Sequence, residues 1–319
     1  MRKFLFCLLS CLLLIITLAL IIKPERYVQC AKDGVLLWAV CVLPSLLPFF
    51  FITLLFTNLG FARGLSQKLH PLARFLYKTN GVSAFVQIMS FLSGYPVGAK
   101  LICELYKEGT LTSEESTKTA LFSSTSGPTF ILGAVGVSMF NSKQAGIMLL
   151  SAHYLSAIFN GLIFRNGFKS SNKVKLLKTK APPQNMLYDC AYGATISCLV
   201  VGTFICIFYV FNQILNDLKI LSPLIFLFNK IFNDVEKARA FCAGLIEFTN
   251  GCSLMAKTQG FISLPLTAFL ISFGGVSILI QSIAFLKDAK VKLSYFITSK
   301  IIQGLTSFIL CCLFQLIFT

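Results

Sequence analysis

Phe91-Leu92-Ser93-Gly94-Tyr95-Pro96-Val97-Gly98-Ala99-Lys100 interrupts a hydrophobic segment that resumes at Leu101. Gly94 reaches backbone angles closed to other residues, Tyr95 is biased out of the helical region by the proline after it, and Pro96 suits the first turn of a new helix. One helix therefore ends and another begins inside an apolar stretch. The pattern recurs once, as Phe248-Thr249-Asn250-Gly251-Cys252-Ser253-Leu254-Met255-Ala256-Lys257: Phe, a small polar residue, Gly, then a closing Ala-Lys. Cys41 to Phe51 matches Cys198 to Phe208 at the same offset, and Ser124-Thr125-Ser126-Gly127 matches Ser272-Phe273-Gly274-Gly275 at a slightly shorter one. Three agreements in one order point to a duplicated unit.

The surroundings are those of a polytopic membrane protein. Of 319 residues, 56% are hydrophobic, and the mean hydropathy is +0.79, far above that of a soluble domain. A net charge of +16 would suit nucleic acid, but the basic residues lie in short loops between apolar runs, as the positive-inside rule expects. The expected partner is the lipid bilayer, not nucleic acid. Twelve cysteines without a Cys-x-x-Cys pair, mostly inside apolar segments, read as small buried hydrophobes. Neither a metal nor a cofactor is expected. Catalytic motifs such as His-Glu-x-x-His or Gly-x-Ser-x-Gly are absent from the sequence, so the chain is not read as an enzyme.

In chain order, Phe4 to Ile22 is an apolar run of about 28 Å as a helix, enough to span the hydrocarbon core, and residues 1–30 are read as an N-terminal anchor. Ala31 to Leu43 reads as an amphipathic lead-in to a crossing that opens at Pro44 and ends near Leu59. Gly60 to Asn80, with Arg63, Lys68, Arg74 and Lys78 among apolar residues, reads as an amphipathic helix on the membrane surface. The break at Gly94 follows, then a segment broken at Ser123 to Pro128, then a crossing from Ala145 to Phe164. These make a first repeat, residues 31–164. Arg165 to Lys180 holds six basic residues and no acid, and residues 165–187 are read as a cytoplasmic linker. Residues 188–319 replay the order as a second repeat. Counting crossings with each Gly-centred pair re-entrant makes the two repeats opposite in orientation.

Inverted repeats with broken helices mark secondary transporters, whose half-helix ends meet near the bilayer midplane and offer unpaired backbone groups to a solute. The expected structural breaks are Gly94, Pro96, Gly127, Pro128, Gly251, Gly274 and Gly275. Beside them, Ser93, Tyr95, Ser124, Thr125, Ser126, Thr129, Thr249, Asn250, Ser272 and Ser277 are the candidate solute-binding residues, with Gln281 also polar at this depth. Glu247 is the sharpest candidate, because a carboxylate within an apolar segment is costly enough to mark function. Its repeat counterpart is Ser90, so the halves are chemically unequal. Plainer roles are a salt bridge from Glu247 to Lys257 or Lys100, helix-packing hydrogen bonds for the serines, and packing for His153.

Leu43-Pro44-Ser45-Leu46-Leu47-Pro48-Phe49-Phe50, Ser93 to Lys100, Ser124 to Pro128, Glu247 to Gly251 and Ser272 to Ser277 together resemble the YlbJ family of sporulation integral membrane proteins, within the nucleoside-recognition or Gate superfamily. The resemblance implies an all-α, Gate-type fold related to concentrative nucleoside carriers, in the inner membrane of a spore-forming bacterium. The expected function is a transporter or permease-like protein for a small polar solute, nucleoside-like among the candidates, with a proton or sodium as coupling ion and self-association as a further expectation. The rival is a non-transporting membrane scaffold of spore formation.

Overall fold

The computed structural model describes residues 14–59, 61–170 and 184–318, which contain helices, turns and loops and no strand. Residues 1–13 of the expected anchor and 171–183 of the expected linker lie outside the described residues. Helix α1 (residues 14–22) runs into α2 (Pro24–Leu37), which carries proline in its first turn. The expected lead-in and crossing are not separate. A π-helical turn at Trp38–Val42 joins α2 to α3 (Leu43–Asn58) in one 35-residue rod. Pro44 sits in the first turn of α3, and the Ser45 hydroxyl donates to the carbonyls of Cys41 and Val42 at 3.3 and 2.8 Å, so the turn before the proline keeps its acceptors engaged.

After the rod come α4 (Phe61–Tyr77), α5 (Gly81–Ser93), α6 (Val97–Lys107), α7 (Ser113–Ala120), a π-helical segment Phe130–Met139, and α8 (Lys143–Ile163). The second half follows with α9 (Met186–Asp217), α10 (Ser222–Phe232), α11 (Val235–Ile246), α12 (Phe248–Met255), α13 (Ser263–Phe273), α14 (Gly275–Asp288) and α15 (Leu293–Phe318). Each half therefore has the same order: a rod, a short amphipathic or surface helix, a hairpin, an interrupted helix and a long helix. At about 1.5 Å per residue none of α5, α6, α11 and α12 exceeds ~20 Å, short of the ~30 Å hydrocarbon core. The hairpins enter and turn back.

The two rods lie side by side and antiparallel. Arg26, near the start of the first, pairs with Asp217 at the end of α9 (2.6 Å), the Trp38 indole donates to Cys198 O (3.1 Å), and Asn58, at the end of the first, reaches Cys190 near the start of α9. One end of the molecule collects the base of the first hairpin. Asn80 caps α5 and donates to Glu115 (3.0 Å), Thr112 and Glu115 form a capping box on α7, and Lys107 pairs with Asp288 (2.9 Å). At the opposite end Asp234 caps α11, accepting from the Glu236 and Lys237 amides at 3.0 and 3.1 Å. The hydrogen bond from the Lys237 ammonium holds the Asp234 carboxyl below its ordinary range. Five helical stretches among the described residues, those at Pro24–Asn58, Lys143–Ile163, Met186–Asp217, Ser263–Asp288 and Leu293–Phe318, are long and apolar enough to cross a membrane.

The second hairpin turns at a different residue from the one the repeat suggested. The chain leaves α11 and enters α12 at Glu247 (φ −138°, ψ 111°), and Gly251 lies within α12. Gly251 serves close approach instead. A Cβ there would fall 2.2 Å from Gly244 Cα, so the two arms of the hairpin pack backbone to backbone. In lipid, where burial of apolar surface adds little between helices, such contacts hold helices together. Gly251→Ala should force the arms apart and lower stability by about 1–3 kcal/mol, whereas Gly133→Ala, with nothing within 4 Å of the added Cβ, should melt like the parent. Thermal unfolding of the two purified variants in detergent checks the difference.

Candidate functional site

Four interruptions of helix meet at the centre of the fold. The first is Gly94, which ends α5 at φ +82° and packs so closely on the second interruption, the stretch between α7 and the π segment, that a Cβ at Gly94 would fall 2.6 Å from Gly127 N. Pro96 then opens α6 as its N-cap, after a cis Tyr95-Pro96 bond, and Pro128 opens the helical turn before the π segment. The third interruption is Glu247 and the fourth is Gly274 (φ +85°) with Gly275, whose added Cβ would meet Gly244 O at 2.8 Å. Each hairpin tip thus rests on the interrupted helix of its own half.

Side chains then tie one half to the other. The Tyr95 hydroxyl donates across to Ile271 O at 3.1 Å, with Ser272 O at 3.4 Å. Lys300, 1% exposed on α15, donates to Tyr95 Oη (2.9 Å), Ser124 O (2.8 Å) and Gln303 Oε1 (3.1 Å). His153 on α8 accepts from the Ser126 amide at Nε2 (2.9 Å), which leaves Nδ1–H to donate to Ser272 Oγ (2.7 Å). The second and fourth interruptions are therefore spliced through one neutral imidazole. Backbone groups released by the breaks find partners here, as membrane-buried backbone must.

Glu247 meets neither Lys257 nor Lys100. Its two carboxylate oxygens accept from the amides of Thr249 (3.0 Å) and Asn250 (2.7 Å), so it caps the N-terminus of α12. Exposed amides and the positive end of the helix make that a favourable place for a carboxylate. The Thr249 side chain adds a third hydrogen bond, and lone-pair capacity remains for a further donor. Glu247 also lines a central cavity of about 30 Å³ together with Tyr95, Ser126, Thr249, Ser277 and Gln281, and with an apolar wall of Val42, Leu46, Phe130, Val201 and Ile205. Gln281 donates to Ser277 Oγ, and its Oε1 has no partner. One residue from Thr249, Asn250 lines a larger cleft of about 330 Å³ with Tyr209, Asn212, Asn216, Arg239 and Lys257, at the end of the molecule that carries Asp217 and Asp234.

Of the candidates read from sequence, Tyr95, Ser126, Glu247, Thr249 and Ser277 come together on the cavity. The others do not. Ser93 pairs with Thr53, Thr125 with Ser90 (3.0 Å), Thr129 donates to Ser45 O (2.7 Å), Ser272 belongs to His153, Ser124 contributes its carbonyl to Lys300, and Asn250 faces the cleft. The sequence reading missed Lys300 and Gln303. A signal existed: an ammonium in a 26-residue apolar helix is as costly as the carboxylate that drew attention to Glu247.

A family model described as nucleoside recognition (Gate) matches residues 39–143, the stretch holding the first hairpin and the first interrupted helix. Among solved structures the chain is similar to a doubly substituted CNTnw in an outward-facing state, with TM-score 0.60, 12% identity, and coverage of 95% of this chain and 86% of that one. At such identity the likeness concerns the fold. The molecule is thus an all-helical, multi-pass membrane protein that shares the fold of that structure. Sporulation integral membrane protein YlbJ of Bacillus subtilis (strain 168) is 30% identical over 321 residues, spanning 91% of this chain and 78% of the relative. The chain belongs to the YlbJ family of sporulation integral membrane proteins.

The imidazole splice has a measurable weight. His153→Phe keeps the bulk and leaves the Ser126 amide and the Ser272 hydroxyl without partners, which should cost about 2–6 kcal/mol at ~1–3 per orphaned group. In His153→Phe protein, a further Ser272→Ala should recover part of that loss. Chemical denaturation of the single and double variants reads both effects.

Proposed function

We propose that the chain is a carrier or permease-like protein that receives a small polar solute, nucleoside-like in its hydroxyl and amide groups, at the meeting point of the four breaks. The observation that carries the reading is the cavity itself, where groups from all four breaks converge and Gln281 Oε1 and the remaining lone-pair capacity of Glu247 await donors. Glu247 accepts hydrogen bonds from the solute, while Tyr95, Ser126, Thr249 and Ser277 supply hydroxyls, and the 330 Å³ cleft is the approach. A volume of 30 Å³ holds about two waters, so the described state is closed at the centre and a solute enters when the hairpins part.

Residues 31–164 and 188–319 are, on this reading, two inverted repeats. The antiparallel rods and the bases of the two hairpins at opposite ends support that division. The basic stretch from Arg165 supports a cytoplasmic position for the first hairpin's base by the positive-inside rule. The cleft then opens outward.

A second reading, a membrane scaffold of spore formation, is favoured by the small central volume and by the candidate hydroxyls engaged in packing. Thermal-shift screening of the purified protein against nucleosides, nucleotides, amino acids and metal ions separates the two. A carrier should be stabilised by one class of compound, and Glu247→Gln, which keeps one of the two cap bonds through its amide oxygen, should fold with a loss of about 1–3 kcal/mol for the amide left unpaired and bind that compound about tenfold or more weakly, since hydrogen bonds to a charged group contribute ~1.5–3 kcal/mol. Loss of complementation in a strain lacking its YlbJ protein should accompany the weakened binding. Full complementation by Glu247→Gln at normal protein level would leave the carboxylate a helix cap and favour the scaffold.

A further inference from the structure

The surroundings of Lys300 differ from those of an ordinary buried lysine. Among the described residues no carboxylate pairs with it. Its three protons meet three neutral oxygens at 2.8–3.1 Å: the Ser124 carbonyl from an interrupted helix, the Tyr95 hydroxyl from a hairpin tip, and the Gln303 amide oxygen. The Gln303 amide turns its oxygen inward and leaves Nε2 without a partner, the orientation a cation imposes. The titratable groups facing Lys300 are Tyr95 and, from α8, His153, and both have other hydrogen bonds as well.

Neutral oxygens that include a carbonyl freed by an unwound helix are the donor set with which membrane carriers and channels hold monovalent cations. Here that set already has an occupant. We propose that Lys300 is a tethered cation: its ammonium fills a monovalent-cation site built from the first hairpin tip, the first interrupted helix and α15, and locks the three together without an inorganic ion. Replacing the side chain should open a site for a small free cation. If the breaks carry a solute, as proposed above, its movement is then independent of sodium. The occupancy of the site does not rest on that reading.

The test is a melting series in detergent, with choline chloride replaced by sodium, potassium or methylammonium chloride at constant ionic strength. The parent protein should show no saturable shift with any of them. Lys300→Ala should melt lower in choline and recover on the order of 2–4 °C or more as sodium or methylammonium is added, the shift expected when binding contributes about 1 kcal/mol or more. A saturable, sodium-specific shift in the parent would overturn the proposal, as would a folded Lys300→Ala protein that responds to none of the three cations. Should Lys300→Ala not accumulate, the parent series decides alone, with a sodium-specific shift against the proposal and none in its favour. These melts contain no solute, so failure of the solute screen leaves their outcome unaffected.

Discussion

A polypeptide interrupted inside hydrocarbon exposes backbone amides and carbonyls that neither lipid nor water can satisfy, and each orphaned group is expensive. The fold meets this constraint by bringing its interruptions together. Gly94 lies against Gly127, and Gly275 against the end of α11, so each hairpin tip is sealed by the break beside it. Tyr95, through Ile271 O, and His153, through the Ser126 amide and Ser272 Oγ, then join the two sealed pairs, and Lys300 ties the first pair to α15 through Ser124 O. Glu247 answers the constraint locally, by capping α12 with its own side chain. The same arrangement that protects the backbone gathers polar groups around one small space.

The two halves solve the problem with different chemistry, and the difference is directional. At the first hairpin tip the backbone turns at Gly94, and the nearby charge is the Lys300 ammonium; at the second, the backbone turns at a carboxylate. The ammonium is fully engaged by three oxygens, whereas Glu247, held by two amides and the Thr249 side chain, keeps lone-pair capacity and borders the cavity. The first pair of breaks is therefore bolted and the second is open to a further donor. The 330 Å³ cleft, which borders α12 at Asn250, lies on the open side.

Much of this was legible in the chain. Gly-Tyr-Pro within an apolar run forces an interruption by backbone sterics alone, and α5 does end at Gly94. Where the reading slipped, tertiary contact outweighed local pattern. Gly251 matches Gly94 in the repeat, yet the carboxylate of Glu247 supplies a stronger cap four residues earlier, and Gly251 is left to fit against Gly244. Pro44 suggested a helix start, but a π turn just before it lets the rod continue. The serines and threonines could not be sorted by sequence, because Ser126 and Thr125 are adjacent and only the side-chain direction sends one to the cavity and the other to Ser90.

The central claim, that the breaks line a site reachable by water from the cleft, is tested most directly by charged thiol reagents on Ser277→Cys in sealed vesicles of known orientation. Ser277 is 1% exposed and lies on the cavity, while Asn216 lies on the cleft. Ser277→Cys should be modified from the cleft side alone, more slowly than Asn216→Cys. Rapid modification of Asn216→Cys with none at Ser277→Cys from either side would show a sealed core and contradict it.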